Sequence, residues 1–265
     1  MFDLPAPLPQ VPAEADLVSP PLQTRGFLHS VETGAAVDGP GMRFVFFLSG
    51  CQFRCAYCHN PDTWKLHNGR ALDLDEAMAE VSPYAGFLRI AGGVTVSGGE
   101  PLMQADFTGA LLARLKDQLG LHTALDTQGF LHAGVSDRWF DPVDLVLLDI
   151  KHSDPEAYHR LTGQALAPTL AFAHRLVDLG KPMWIRYVLV PGLTDGADDI
   201  DRLADFLACL GPAVQRVEVL PFHQMGAAKW ARLGLTYSLA QTPTPTAPQV
   251  DAARARFAER GLKVF

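Results

Sequence analysis

From Gly26 onward, short apolar runs alternate with segments of helical spacing. Met42–Leu48 (MRFVFFL) is a continuous apolar run, the pattern of a parallel strand covered on both faces. Gly93–Ser97 is shorter and β-branched, and further runs fall at His122–Asp126, Leu145–Ile150, Met183–Leu189 and Val214–Leu220. Helical stripes lie between them. Phe107, Leu111, Leu115 and Leu119 form one, with Asp106 as its expected cap and Gly120 as its stop. Leu170, Ala173, Leu176 and Val177 form a second, stopped by Gly180, and Ile200, Leu203, Leu207 and Leu210 a third, stopped by Gly211. A last helix is predicted around Val250–Glu259, with Val250, Ala253 and Phe257 inward, before the apolar pair Val264-Phe265. Six strands alternating with helices predict an α/β fold with a parallel sheet and right-handed crossovers. An open twisted sheet and a partial barrel both satisfy this pattern.

Residues 1–22 break the rhythm. They carry Pro5, Pro7, Pro9, Pro12, Pro20 and Pro21 without periodicity, which predicts a disordered extension followed by one domain over residues 23–265. The segment lacks the basic and apolar regions of a signal peptide. No apolar run reaches the roughly 18–20 residues of a membrane span. The formal net charge of −7 and the scattered Lys and Arg exclude a nucleic-acid-binding stripe. The expectation is a cytoplasmic protein, where clustered thiols are metal ligands or catalytic groups rather than disulfides.

Polar residues and glycines follow the predicted strands. Cys51 follows the first and Ser97-Gly98-Gly99-Glu100 the second. Asp126-Thr127 follows the third, Asp149 and Lys151 flank the end of the fourth, Pro191-Gly192 follows the fifth and His223 the sixth. In parallel α/β folds this edge collects catalytic and binding groups.

Cys51, Cys55 and Cys58 cluster after the first strand, and the remaining cysteine, Cys209, lies far along the chain in an apolar stripe as an expected buried thiol. Three thiolates on one loop suit an iron–sulfur cubane with one iron open to another ligand, since full ligation takes four cysteines. A zinc site completed by His59, His67 or Cys209 also fits the spacing, as do merely buried thiols.

The CxxxCxxC run with Tyr57 before its last cysteine resembles the signature of the radical S-adenosylmethionine superfamily, and Ser97–Pro101 its Gly-Gly-Glu motif. An ordered set of segments is similar to the pyruvate formate-lyase activating enzymes within it. These are Val37–Gly41, Cys58–Asn60 with Asp62–Trp64, Leu125–Thr127 with Gly129-Phe130, Asp149–Lys151, Trp184–Tyr187 and Leu220–His223. The resemblance implies a partial (β/α)6 barrel with outer helices. It implies a [4Fe-4S] cluster on Cys51, Cys55 and Cys58, whose open iron chelates the amino and carboxylate groups of S-adenosylmethionine. One electron then gives methionine and a 5′-deoxyadenosyl radical. Tyr57, Cys58, His59, Gly98, Gly99, Glu100, Asp149, Ile150, Lys151 and His223 are implied around that cofactor. Asp126, Thr127, the Leu147 carbonyl and Asp149 are implied as ligands of a sodium or potassium ion, and Asp38 and His59 as contacts to a docked peptide.

The implied activity is hydrogen abstraction from a glycine Cα of pyruvate formate-lyase in anaerobic metabolism, by a monomer fed by a flavodoxin-type donor. Activases of several other glycyl-radical enzymes carry a cysteine-rich insert, and residues 59–92 contain no cysteine. The rival readings are a ring-forming enzyme like 7-carboxy-7-deazaguanine synthase, an activase of another glycyl-radical enzyme, and a zinc-stapled interaction module.

Overall fold

The computed structural model describes residues 25–265; the expected extension over residues 1–22 lies outside them. The sheet has eight strands: β1 (Arg25–Ala35), β2 (Met42–Leu48), β3 (Arg70–Asp73), β4 (Gly92–Gly98), β5 (Thr123–Thr127), β6 (Leu145–Asp149), β7 (Met183–Leu189) and β8 (Val214–Pro221). They lie in the order β3-β1-β2-β4-β5-β6-β7-β8. The six predicted strands are β2 and β4 to β8, all parallel to one another. β1 and β3 add an antiparallel flank. The sheet does not close on itself, so it is an open, partial barrel.

The helices are α1 (Leu74–Val81), α2 (Ala85–Ala91), α3 (Ala105–Leu119), α4 (Pro155–Thr162), α5 (Ala167–Asp178), α6 (Ala197–Cys209), α7 (Ala227–Arg232) and α8 (Ala247–Ala258). None is long and apolar enough to cross a membrane among the described residues. The predicted stripes of the longer helices meet the outer face of the sheet, where Leu111, Leu115, Phe172, Leu176, Leu203, Leu207 and Phe257 join Phe44, Phe46, Val146 and Ile185 in one core. Gly120, Gly180 and Gly211 all take positive φ just past α3, α5 and α6, where a side chain would be strained.

Four local expectations are corrected. Asp106 lies inside the first turn of α3, whose cap is Gln104. Val177 is exposed, because α5 turns Thr169, Phe172, Ala173 and Leu176 inward instead. Cys209 is exposed at the last turn of α6, off the stripe of Ile200, Leu203 and Leu207. The last helix starts earlier, at Ala247, because Thr246 and Gln249 form a capping box. Val264 makes a parallel bridge to Val217 and so covers the free edge of β8.

Strand alternation decides what faces the barrel interior. Along β7, Met183, Ile185, Tyr187 and Leu189 are buried in the outer core, while Trp184, Arg186 and Val188 turn inward. The same alternation sends Asp126 and Asp149 inward and their neighbours Leu125 and Leu148 outward. Gly129, just past β5, has φ +68°, and a Cβ there would come within 2.0 Å of the Phe172 ring. Phe172 therefore sets how closely α5 approaches the loop that follows β5. Phe172→Ala is expected to cost about 3–5 kcal/mol, measured by denaturant unfolding of the apoprotein.

Candidate active site

A cavity of about 510 Å³ opens at the C-terminal edge of the parallel strands. Cys51, Cys55, Tyr57, Cys58 and His59 line one side; Gly98, Gly99, Asp126, Asp149, Lys151, His223 and Asp38 line the others. Eleven residues expected at the site from sequence reach it directly in this way, together with Asp126 from the expected cation set.

The cysteine loop is fastened on all sides. Gly50 N–H donates to the Thr63 carbonyl at 2.6 Å and Cys51 N–H to that of Trp64 at 3.2 Å, closing the loop on itself. Arg54 and Ala56 N–H groups donate at 2.8 and 2.9 Å to the carbonyls of Thr162 and Leu161, which end α4 without helical partners. Phe53 is buried between the cysteines, edge-on to Phe130 and Tyr158. Gly99 and Glu100 N–H groups donate to the carbonyls of Leu48 and Gly50, both at 2.8 Å, so the Gly-Gly-Glu segment packs on the start of the loop. A Cβ at Gly99 would come within 2.2 Å of the Gly50 carbonyl oxygen, and one at Gly98, where φ is +118°, within 2.2 Å of Leu48 N. These glycines are required by backbone packing on the cysteine loop, besides lining the cavity.

The three thiols fit an iron–sulfur cluster better than zinc. Burial raises all three above the ordinary thiol range, Cys55 to about 12, so their protons leave only when a cationic centre replaces them. Among the described residues no three His, Cys, Asp or Glu side chains converge closely enough for a single metal ion. The expected fourth zinc ligands are engaged elsewhere. His59 stacks on His223 with ring centroids 4.2 Å apart, His67 packs edge-on to Phe27 at 4.4 Å, and Cys209 is on α6. A cluster would accept three thiolates at wider separation, and all three cysteines line the cavity.

Opposite the loop stands a buried charge network. Lys151 Nζ lies 3.1 Å from Asp149 Oδ2 and 5.5 Å from the centre of the Tyr57 ring. Burial, the largest single influence, opposes the ammonium charge, but Asp149, Tyr57 and Cys55 together outweigh it and hold Lys151 well above its ordinary pKa. Arg186 Nη1 lies 2.9 Å from Asp126 Oδ2 and 3.8 Å from Asp38 Oδ1, and its Nε lies 3.8 Å from Glu218 Oε2. Ser97 donates to the same Asp126 oxygen at 2.6 Å. Burial pushes the Asp38 and Asp126 carboxyls upward, and Arg186 pulls both back. Asp126 Oδ1 and His223 Nδ1 are buried with no protein partner. Arg186 and Ser97 were not singled out as site residues from sequence; a lone arginine inside the apolar run MWIRYVL was the signal available.

Other expected residues are close to the cavity but turned from it. Glu100 is fully buried, and its carboxylate accepts from Thr127 Oγ1 at 2.6 Å, Leu102 N at 3.0 Å and Gln128 N at 3.1 Å. It is a strut between the ends of β4 and β5 rather than a cavity wall. Thr127 alternates away from Asp126 and spends its hydroxyl on Glu100, so the expected cation ligands do not gather as side chains. Ile150, next after the inward-facing Asp149, turns to the outer core, and Leu147 packs with Ala124 and Leu145 inside the barrel.

With this geometry in place, three comparisons identify the fold's relatives. The model of the Radical SAM superfamily matches residues 45–207, more than half of the chain. The chain is also 45% identical over 241 residues to the pyruvate formate-lyase-activating enzyme of Staphylococcus aureus, covering 86% of this chain and 94% of that protein. The chain belongs to the radical SAM superfamily, with the pyruvate formate-lyase-activating enzymes. A solved domain of the corresponding enzyme from Bacteroides vulgatus is 25% identical with a TM-score of 0.54, covering 66% of this chain and 98% of that one. Streptococcus suis SuiB bound to the precursor peptide SuiA shares the fold at a TM-score of 0.65 and 16% identity, covering 86% of this chain and 48% of that one. Radical SAM proteins use a [4Fe-4S] cluster and S-adenosylmethionine, and both are cofactors of this chain.

Burial raises the Glu100 pKa from an ordinary 4.5 to about 7 against its three donors. A carboxyl raised on folding stabilises below its unfolded pKa and loses that contribution as pH rises. Apoprotein stability is therefore expected to fall between pH 4.5 and about 7 by a component absent from Glu100→Gln, read from denaturation midpoints. Glu100→Ala leaves buried donors unpaired and is expected to cost roughly 1–3 kcal/mol for each one that stays dry.

Proposed function

We propose that this protein activates pyruvate formate-lyase by leaving a glycyl radical on it. The observation that carries the reading is the convergence of the three cysteines, Gly98, Gly99, Lys151, His223 and Asp38 on one cavity. The 45% identity to a pyruvate formate-lyase-activating enzyme supports the choice of partner.

In this reading Cys51, Cys55 and Cys58 hold the cluster. When bound, the cluster would supply the electron for reductive cleavage of S-adenosylmethionine, and that cleavage would supply the means of taking the glycine Cα hydrogen. The chain's own residues bind, orient and shield. Asp149, Lys151 and His223 offer an acceptor, a cation and a ring nitrogen at the strand ends, suited to the polar groups of S-adenosylmethionine. Tyr57 and His59 wall the cofactor on the loop side. Asp38 also lines the cavity, where its carboxylate can accept from peptide N–H groups of a docked glycine loop, with His59 as a second contact to that loop. The backbone of Gly98 and Gly99 forms the floor; Glu100 and Thr127 hold that floor in place from behind.

A sodium or potassium ion on Asp126, the Leu147 carbonyl and Asp149 would share its carboxylates with Arg186 and Lys151. We further propose a cytoplasmic monomer fed by a flavodoxin-type electron donor: the free thiols of Cys51, Cys55 and Cys58 suit a reducing compartment, and reductive cleavage of S-adenosylmethionine calls for a low-potential donor.

Anaerobically reconstituted protein, mixed with S-adenosylmethionine, reductant and pyruvate formate-lyase, is expected to give a glycyl-radical signal in the spin resonance spectrum. Replacing any one of Cys51, Cys55 or Cys58 by Ala is expected to abolish that signal and lower bound iron. Cleavage of S-adenosylmethionine without a glycyl radical would remove this partner.

A further inference from the structure

The superfamily match ends at residue 207, yet a helix beyond it packs on the cysteine loop. The Trp230 indole N–H of α7 donates to the Cys58 carbonyl at 2.8 Å. Its ring meets Trp64 edge-on, with centroids 5.2 Å apart and planes at 89°. Trp230 is only 8% exposed although α7 is a short surface helix. Next to it, Lys229 Nζ reaches Asn60 Oδ1 at 2.7 Å and Asp62 Oδ2 at 3.1 Å. Asp62 is also held by His29 of β1 at 3.1 Å. At the start of α7 a Cβ on Gly226 would lie 2.8 Å from His59 Cα, so the backbones themselves touch. Contacts from α7 and β1 thus converge on residues 58–62, and the buried indole bond falls on Cys58 itself.

We propose that α7 is a clamp on the cluster loop, with Trp230 and Lys229 as positioning residues that fix Cys58 and so set cluster retention and reduction potential. This rests on Cys58 being a cluster ligand, as in the function proposed above. Two physical effects follow. A ligand loop pinned by a buried hydrogen bond and an ion pair releases its metal centre more slowly, because the thiolate must leave with its backbone held. The indole N–H offsets the negative end of the Cys58 carbonyl, on the backbone of the ligand residue, and so favours the more negative, reduced cluster and raises its potential. Part of the cluster's environment therefore comes from a segment outside the superfamily core.

The test uses full-length protein reconstituted without oxygen. Iron release to a chelator and the midpoint potential are measured for wild type, Trp230→Phe, Lys229→Met and Lys229→Arg. Trp139→Phe is the control, since Trp139 makes the same kind of indole bond, to the Ala105 carbonyl at 2.9 Å, away from the cavity. Trp230→Phe and Lys229→Met are expected to release iron several-fold faster than wild type. Trp230→Phe is also expected to move the potential to a more negative value, and Lys229→Arg to restore retention. Trp139→Phe is expected to lower apoprotein stability while leaving the potential unchanged. Wild-type rates and potential in Trp230→Phe would overturn the clamp. So would a drop in its apoprotein melting temperature with the potential unmoved, which would assign Trp230 to the fold alone. If Trp230→Phe does not fold, Lys229→Met decides by the same release rates. A wild-type protein that assembles no cluster would overturn the proposed function and the clamp together; a wild-type cluster indifferent to both variants would overturn the clamp alone.

Discussion

Inside the half-open barrel, Arg186 stands within 4 Å of Asp38, Asp126 and Glu218, and the site depends on that arrangement. Buried carboxylates facing one another would otherwise repel and take up protons, and each uncompensated buried charge costs several kcal/mol. One guanidinium on the middle strand of the network lets the carboxylates stay at the cavity wall. Lys151 does the same for Asp149 nearer the cysteine loop. The cavity therefore has anionic groups to offer, each with a cation close enough to keep it in place.

The second constraint is that the cysteine loop has almost no regular structure of its own. It is held by what surrounds it: the terminal carbonyls of α4, the Gly98-Gly99 backbone, the ring of Phe53 in the core and the indole of α7. Each contact comes from a different part of the chain, so the loop acquires its shape only when the barrel has assembled. Three thiols raised out of their ordinary range by burial are the chemical consequence. They are primed for a cationic centre and poorly suited to remaining free thiolates.

Much of this was legible in the sequence because two periodicities are strong here. The apolar runs of β2 and β4 to β8 and the stripes of α3, α5 and α6 each have a large buried face, and glycines mark the helix ends. β1 and β3 were not legible, since half of β1 is exposed and its pairing with β2, a tertiary contact, makes it a strand. The strand-end rule located Asp126, Asp149, Lys151 and His223 on one cavity. It could not tell which way a side chain turns: Glu100 and Thr127 face each other behind the wall, and Ile150 faces the outer core. Arg186 lay inside the predicted strand and the resembling segment Trp184–Tyr187 but was given no site role, because the strand's inward face is known only from the structure. Cys209 was misplaced by a single position on a helical stripe, enough to move a thiol from core to surface.

The central claim is that the cavity beside Cys51, Cys55 and Cys58 holds a cluster in contact with S-adenosylmethionine. The most direct measurement is the spin resonance spectrum of anaerobically reconstituted, reduced protein with and without S-adenosylmethionine. The account predicts a cluster signal that changes when S-adenosylmethionine is added. A protein without a cluster signal, or with one that S-adenosylmethionine leaves unchanged, would contradict it.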